Sequence, residues 1–240
     1  MNRLKSLDGL RGIIALVLAF LFHYYCSFSA NPLGISNIER LSTLAYLFFL
    51  ISGFGLFLNC RQQVTQMSIA QFMLKRVSKW YPLFFATTFC TAILIYISRL
   101  IVGNLDFTGT TDNLYHLLLN VFLIHSGVAE DGQSFNTPAW FLGVLVINYF
   151  IFYCIERSKL SSKYVFYVLW TILGIYVVHK GVPFAFPLLT TQCGCSYLAF
   201  CTGVGLAYIY IYIKPYKAAN SIIRFCSYNG SNDTYGDYFW

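Results

Sequence analysis

The chain has 240 residues, of which 58% are hydrophobic and only 10% are charged. Soluble globular proteins carry about 25% charged residues, so this composition excludes a water-soluble enzyme. The 16 Lys and Arg residues against 9 Asp and Glu residues give a net charge of +7. In a membrane chain this surplus is first a signal of orientation, and no basic stripe suggests a nucleic-acid groove. The composition therefore predicts an integral membrane protein that contacts lipid and binds no nucleic acid.

Six apolar segments are long enough, or nearly so, to cross about 30 Å of hydrocarbon. A seventh run, residues 114 to 124, is shorter and suits a re-entrant or interfacial helix. The predicted fold is all-α, a polytopic bundle of six transmembrane helices in residues 1 to 215 with a polar, disordered tail over residues 216 to 240. The six predicted spans cover residues 12 to 29, 41 to 59, 80 to 101, 138 to 155, 164 to 179 and 196 to 213.

The basic residues set the predicted orientation. If the short run does not cross and the N-terminus is cytoplasmic, every cation except Arg40, Arg99 and Lys180 lies inside. This arrangement satisfies the positive-inside rule, whereas an arrangement in which the short run crosses the membrane violates it. We therefore predict an inner or plasma membrane protein with both termini in the cytoplasm. The loop over residues 60 to 79, also inside, is predicted to contain an interfacial amphipathic helix.

The first apolar segment contains two ionisable residues, Arg11 and His23. Such groups are costly in a membrane segment, so a function is the default interpretation. His23 lies about 18 Å along a helix from Arg11, and a neutral imidazole can accept a proton from a hydroxyl. A histidine that hydrogen-bonds a neighbouring helix explains the residue equally well on these grounds.

A cluster of cations, Lys75, Arg76 and Lys79, stands at an inner membrane boundary. Arg76 and Lys79 are three residues apart, so they are predicted to share one helical face. An arginine fork and a lysine point charge can together hold phosphates. An anchor that contacts anionic lipid is the simpler alternative.

Four motifs follow one another in a specific order. They are Leu7-Asp8-Gly9-Leu10-Arg11-Gly12 leading to His23, Phe48-Phe49-Leu50-Ile51-Ser52-Gly53-Phe54, Arg76-x-x-Lys79-x-x-Pro82, and Trp140-Phe141-Leu142 with Tyr149. In this order they resemble the acyltransferase 3 family over residues 4 to 215. The members of that family are polytopic membrane proteins that transfer acyl groups, usually acetyl from cytoplasmic acetyl-CoA, onto sugars of cell-envelope or exported polysaccharides.

The resemblance implies a role for four of the residues already singled out. His23 would be the catalytic base, with Arg11 as its electrostatic support. Arg76 and Lys79 would hold the phosphates of acyl-CoA, which is the expected donor, and no metal is expected. The acceptor glycan would approach from outside.

The same resemblance draws attention to Ser52 and Trp140 as substrate-binding residues. Close helix packing is the favoured role of Ser52, with lining of the acyl path as the alternative. An aromatic ring such as Trp140 can stack on a sugar, although aromatic belts at the membrane interface explain most such residues. Polysaccharide-assembly proteins are the partners that the resemblance implies.

The chain departs from the family pattern in several places. Arg11 and His23 are one residue further apart than in relatives, which places them about 120° apart on a regular helix, and a π-bulge would restore their alignment. Lys79 stands where relatives have a second arginine, and Gly143 and Leu145 stand where many have Ser and Glu. The chain is also shorter than its relatives. The alternative function is therefore that of a truncated, inactive relative, a binding or accessory membrane protein in polysaccharide assembly.

Overall fold

The computed structural model describes residues 5–22, 43–102, 113–129, 135–159, 163–181 and 187–230. All regular structure in these ranges is helical, which confirms the predicted all-α class. The α-helices are α1 (Lys5–Val17), α2 (Ala45–Cys60), α3 (Ile69–Val77), α4 (Tyr81–Val102), α5 (Leu114–Val121), α6 (Trp140–Arg157), α7 (Lys163–Lys180) and α8 (Thr191–Gly230). A π-helical turn at Leu18–Phe22 follows α1, and short 3-10 helices lie at Val64–Gln66 and Thr137–Ala139.

Within the described ranges, three helices are long and apolar enough to cross a membrane. They are Tyr81–Ile101 within α4, Trp140–Arg157 in α6 and Thr191–Ile213 within α8. Helix α2 is apolar but has only 16 residues. Helix α7 has the length, but it begins and ends with lysine and includes three tyrosines. The prediction of six spans is thus supported for three helices and not confirmed for the others; residues 23 to 42, which include part of the first predicted span, lie outside the described ranges.

Helix α8 is the central element and packs along both α2 and α7. Its contact with α2 is made between backbones, because a Cβ atom at Gly53 would overlap the carbonyl oxygen of Phe200, and one at Gly203 would overlap that of Leu50. Helix α7 approaches α8 in the same way at Gly174. Small residues are the usual means by which membrane helices pack this closely.

Aromatic rings fill the core where α2, α3, α6 and α8 meet. The ring of Phe152 lies 6.4 Å from that of Phe72 and 6.3 Å from that of Phe200, between centroids. Helix α4 is different, since it exposes many large apolar side chains, among them Leu83 and Ile101. Such a continuous exposed apolar face fits contact with lipid.

The loop after α2 contains the amphipathic helix that its sequence predicts. Ser68 caps α3, and its hydroxyl accepts a hydrogen bond from the backbone of Gln71 while the Gln71 side chain accepts one from Ser68. This reciprocal capping box fixes the start of the helix. Phe72 is buried in the core and Lys75 is exposed, so α3 is amphipathic.

The short apolar run forms α5, which starts at Asn113. The Asn113 side chain accepts a hydrogen bond of 3.0 Å from the His116 backbone, as an N-cap does. Eight residues rise only about 12 Å, too little to cross a membrane. The chain then turns and packs against α6, where a Cβ atom at Gly143 would lie 2.7 Å from the carbonyl oxygen of Leu123. Glycine at position 143 therefore permits a close contact that a serine would obstruct.

The last helix passes the predicted domain boundary at residue 215 and continues to Gly230. Residues 216 to 230, predicted to belong to a disordered tail, are helical in the structure. Ala218 and Ala219 favour this, because alanine has the highest helix propensity. Residues 231 to 240 lie outside the described ranges.

Candidate active site

Arg11 reaches from α1 to the second helix of the bundle. Its Nη2 atom donates a hydrogen bond of 3.3 Å to the backbone carbonyl of Ile51. A Cβ atom at Gly55, one turn further along α2, would lie 3.8 Å from the guanidinium, an ordinary van der Waals distance. The arginine of the first motif is therefore held against α2 by a hydrogen bond to its backbone.

Arg76 of α3 approaches the C-terminal end of α2. Its Nη2 atom contacts the thiol of Cys60, the last residue of α2, and its guanidinium lies 5.9 Å from the centroid of the Phe72 ring. Its Nε atom is buried and has no hydrogen-bond partner among the described residues. A buried donor without a partner typically costs about 1–3 kcal/mol. The geometry thus leaves one donor of Arg76 available to an anionic group.

Tyr149 of α6 brings these two arginines into one site. Its hydroxyl is hydrogen-bonded to the hydroxyl of Ser52, and the charges of both Arg76 and Arg11 act on it. Its ring packs edge-on against Phe200, with 6.5 Å between centroids. Residues of three separate motifs, Arg11, Ser52 and Arg76, therefore act on one tyrosine hydroxyl.

Of the remaining cations of the basic cluster, Lys75 lies in α3 and Lys79 lies after it. Arg76 is in the last turn of α3, whereas Lys79 lies in the turn that leads to α4, so a shared helical face does not relate them. The charges of Lys75 and Lys79 nevertheless both act on the thiol of Cys60. Lys75 also donates a hydrogen bond of 3.5 Å to the side chain of Gln63. The three cations thus surround one end of α2.

A family model described as an acyltransferase domain matches residues 4–231, nearly the whole chain. The chain belongs to the acyltransferase 3 family. Comparisons with curated proteins and with solved structures gave no significant match. Together with its apolar helices, membership of the acyltransferase 3 family makes the protein a membrane acyltransferase in general terms.

The base that the acyltransferase 3 resemblance implies, His23, lies outside the described residues. The helix that leads to it is described, and its π-helical turn at Leu18–Phe22 lies between Arg11 and His23. A π-bulge accommodates one extra residue within an α-helix. The structure therefore contains the irregularity that the spacing of these two residues requires, while the role of His23 stays a prediction.

Trp140 lies at the start of α6, away from the arginines. Its ring is half-buried and lies 6.2 Å from both the Tyr46 and the Phe49 rings, between centroids. Tyr149 follows nine residues later, which is about 14 Å along the helix. The structure thus separates Trp140 from the arginine site and surrounds it with aromatic packing partners.

Two further histidines flank the short helix α5. His116 is hydrogen-bonded to the Asn113 side chain at 2.6 Å. His125 is buried, neither ring nitrogen has a partner among the described residues, and burial lowers its pKa to about 4. In the described part of the chain, no three His, Cys, Asp or Glu side chains are placed to hold a metal ion.

Tyr149 is part of the fourth sequence motif, but the motif alone indicates no role for it. The signal that could have found it is a tyrosine hydroxyl within a predicted membrane segment, since such a group needs a polar partner. The arrangement of two guanidiniums and two hydroxyls can bind an anion and can donate a hydrogen bond to an oxygen that gains negative charge during a reaction.

Proposed function

We propose that the protein transfers an acyl group, most simply acetyl, from cytoplasmic acyl-CoA to a hydroxyl of a cell-envelope or exported polysaccharide. The observation that supports this is that the Tyr149 hydroxyl is bonded to Ser52 and lies within the influence of the Arg11 and Arg76 charges, in a chain of the acyltransferase 3 family. Acyl transfer from a thioester needs binding of a phosphate-rich donor, stabilisation of an oxyanion and a base. The site offers candidates for the first two, and His23 is the base that the family resemblance implies.

The donor side of this proposal rests on the basic end of α2. Arg76 offers a buried Nε atom without a partner, and Lys79 adds an exposed point charge beside it. A phosphate would satisfy the unpaired donor and relieve its cost. The residues present therefore fit the phosphates of acyl-CoA.

The chemistry is assigned to groups deeper in the bundle. In our proposal the acceptor hydroxyl oxygen attacks the thioester carbonyl carbon, His23 takes the hydroxyl proton, and the carbon–sulfur bond breaks to release the CoA thiol after proton return. The Tyr149 hydroxyl, held by Ser52 and placed near two positive charges, donates to the carbonyl oxygen as its negative charge develops. Arg11 of α1, held against α2 by the Ile51 carbonyl, supports that negative charge.

The orientation follows from the charges. We propose that the loop of residues 60 to 79, which includes α3, faces the cytoplasm, together with both termini, and that residues 180 to 195 face outside. This places the basic end of α2 on the side where acyl-CoA is available and satisfies the positive-inside rule. We also propose that the protein lies in the inner or plasma membrane, where it can meet polysaccharides and their assembly proteins.

The proposal is tested by acyl transfer in membranes that contain the full chain. Membranes would be supplied with radiolabelled acetyl-CoA and endogenous polysaccharide, and label in the polysaccharide would be measured beside binding of acetyl-CoA. We expect incorporation by the unmutated chain and a loss of about 10²-fold or more for His23→Ala, with donor binding retained. His179→Ala, which removes an exposed histidine of α7 instead, is the control and should not change incorporation.

Two results would contradict the proposal. Normal transfer by the His23→Ala variant would remove the proposed base. Donor binding without any transfer by the unmutated chain would favour the accessory protein over the enzyme.

A further inference from the structure

A cleft of about 470 Å³ opens beside the basic end of α2, and it is separate from the site around Tyr149. It is formed by the end of α2, the turn after it, the end of α6 and the start of α7. Its lining residues are Phe57, Arg61, Gln62, Thr65, Glu156, Lys163 and Tyr164. None of them has been given a role above.

The charges of the cleft favour an anion. Each carboxylate oxygen of Glu156 has a partner. One accepts a hydrogen bond of 2.8 Å from Tyr167, and the other lies 3.7 Å from the Lys163 ammonium. Lys163 and Glu156 therefore compensate each other. Arg61 has no ion pair among the described residues, and its guanidinium lies 5.2 Å from the Phe57 ring centroid. The cleft thus keeps a net positive charge at a guanidinium fork, the group that binds phosphate best.

The same cleft has an aromatic wall. Tyr164 is exposed, and its ring lies 4.4 Å from the Tyr208 ring, between centroids. Two polar side chains, Gln62 and Thr65 from the segment after α2, also line the cleft. A planar base can stack on an exposed ring of this kind, and such stacking is tolerant of the base.

The position of the cleft links it to the donor site. Arg61 directly follows Cys60, whose thiol contacts Arg76. Arg61, which follows α2, and Arg76 of α3 therefore both lie at the C-terminal end of α2. A CoA molecule has a diphosphate and, on the adjoining ribose, a separate 3′-phosphate beside the adenine, so it carries phosphate groups for both.

We propose that the cleft binds a phosphate monoester through Arg61, and that this group is the 3′-phosphate of the acyl-CoA donor, with the adenine against Tyr164. This inference rests on the proposed function and assigns a second part of the donor to residues outside the family motifs. A lipid headgroup phosphate has similar chemistry and is the other source that the experiment must separate.

The test compares acetyl-CoA with acetyl-3′-dephospho-CoA, which lacks only the 3′-phosphate, by calorimetric titration of the full chain in nanodiscs of phosphatidylcholine. The unmutated chain should bind acetyl-CoA about tenfold more tightly or better, the scale of a hydrogen bond to a charged group. Arg61→Gln should bind both ligands alike, at the affinity of the dephospho compound. Lys159→Gln removes an exposed cation outside the cleft and should keep the full preference.

Several outcomes would overturn the inference. If the unmutated chain binds both ligands with equal affinity, the assignment of the 3′-phosphate to the cleft is wrong, while acyl-CoA can still be the donor. Loss of affinity for both ligands in Arg61→Gln would also overturn the inference, since it would show a general electrostatic effect. Binding of neither ligand by the unmutated chain would overturn the inference and the proposed donor together. Retention of phosphatidylglycerol during purification that depends on Arg61, with no 3′-phosphate preference, would assign the cleft to lipid.

Discussion

The hydroxyl of Ser52 in α2 is hydrogen-bonded to the hydroxyl of Tyr149 in α6, beside the charges of Arg11 and Arg76. Packing alone would not need either hydroxyl at this position. A polar pair between two membrane helices can fix their rotation, and here it also fixes the direction of a phenol near two guanidiniums. The pair therefore joins the packing of α2 and α6 to the chemistry that we propose.

Tyr149→Phe should lower acyl transfer by roughly 10²-fold, the scale for removing one donor to an oxyanion. The ring would still pack against Phe200, so membrane insertion and donor binding should not change. Ser52→Ala should have a smaller effect, and the double variant should be no worse than Tyr149→Phe, because both changes break one hydrogen bond. Incorporation of labelled acetyl by membranes measures all three. Additive losses would mean that the two hydroxyls act separately.

The basic cluster yields a second prediction. Arg76→Ala should weaken acetyl-CoA binding more than Lys79→Ala does, because Arg76 is half-buried at the site while Lys79 is exposed in the turn after α3. We expect a loss of about tenfold for Arg76 and less for Lys79. Titration of acetyl-CoA in nanodiscs measures this, with Lys159→Ala as the control. Unchanged affinity in both variants, with normal expression, would make the pair a lipid anchor.

How far the sequence could predict these features differs between the fold and the site. Composition was enough for an all-helical membrane protein, and motif order was enough for the family, because both depend on residue type alone. The number of spans could not be predicted in this way, because whether α2 or α7 crosses the membrane depends on where each helix ends and on its neighbours. The prediction that Arg76 and Lys79 share one helical face is wrong for the same reason, because α3 ends between them.

The central packing of α8 gives a third prediction with a built-in control. Gly203→Ala should destabilise the protein by about 1–3 kcal/mol, because the new methyl would overlap the Leu50 carbonyl oxygen and push α2 away. Gly205→Ala lies two residues along the same helix with open space around it, and should be neutral or slightly stabilising. Loss of helical circular dichroism on heating in detergent compares them. Equal melting of the two variants would argue against the close α2–α8 contact.

The proposed orientation can be tested at the two ends of α7. Cys193 is buried in α8, so it is a poor target for labelling, and introduced cysteines at exposed lysines serve better. In intact cells, an impermeant maleimide should label Lys180→Cys and should label Lys159→Cys only after lysis, because the positive-inside rule places residue 180 outside. The unsubstituted chain gives the background. The reverse pattern would invert the topology and move the basic end of α2 away from cytoplasmic CoA.

The π-helical turn after α1 makes the role of His23 testable by a deletion. Ala19 lies within that turn, at Leu18–Phe22. If the turn holds one extra residue, removing Ala19 should convert it to regular α-helix and keep His23 on its present face relative to Arg11, with activity within a few-fold of the unmutated chain. Deleting Ile14, which is buried in the regular part of α1, should instead rotate everything after it by about 100° and abolish transfer. Acetyl incorporation and expression level should be measured for both. If both deletions are expressed normally and lose transfer equally, both have displaced the base. The π turn would then not set the alignment of Arg11 and His23.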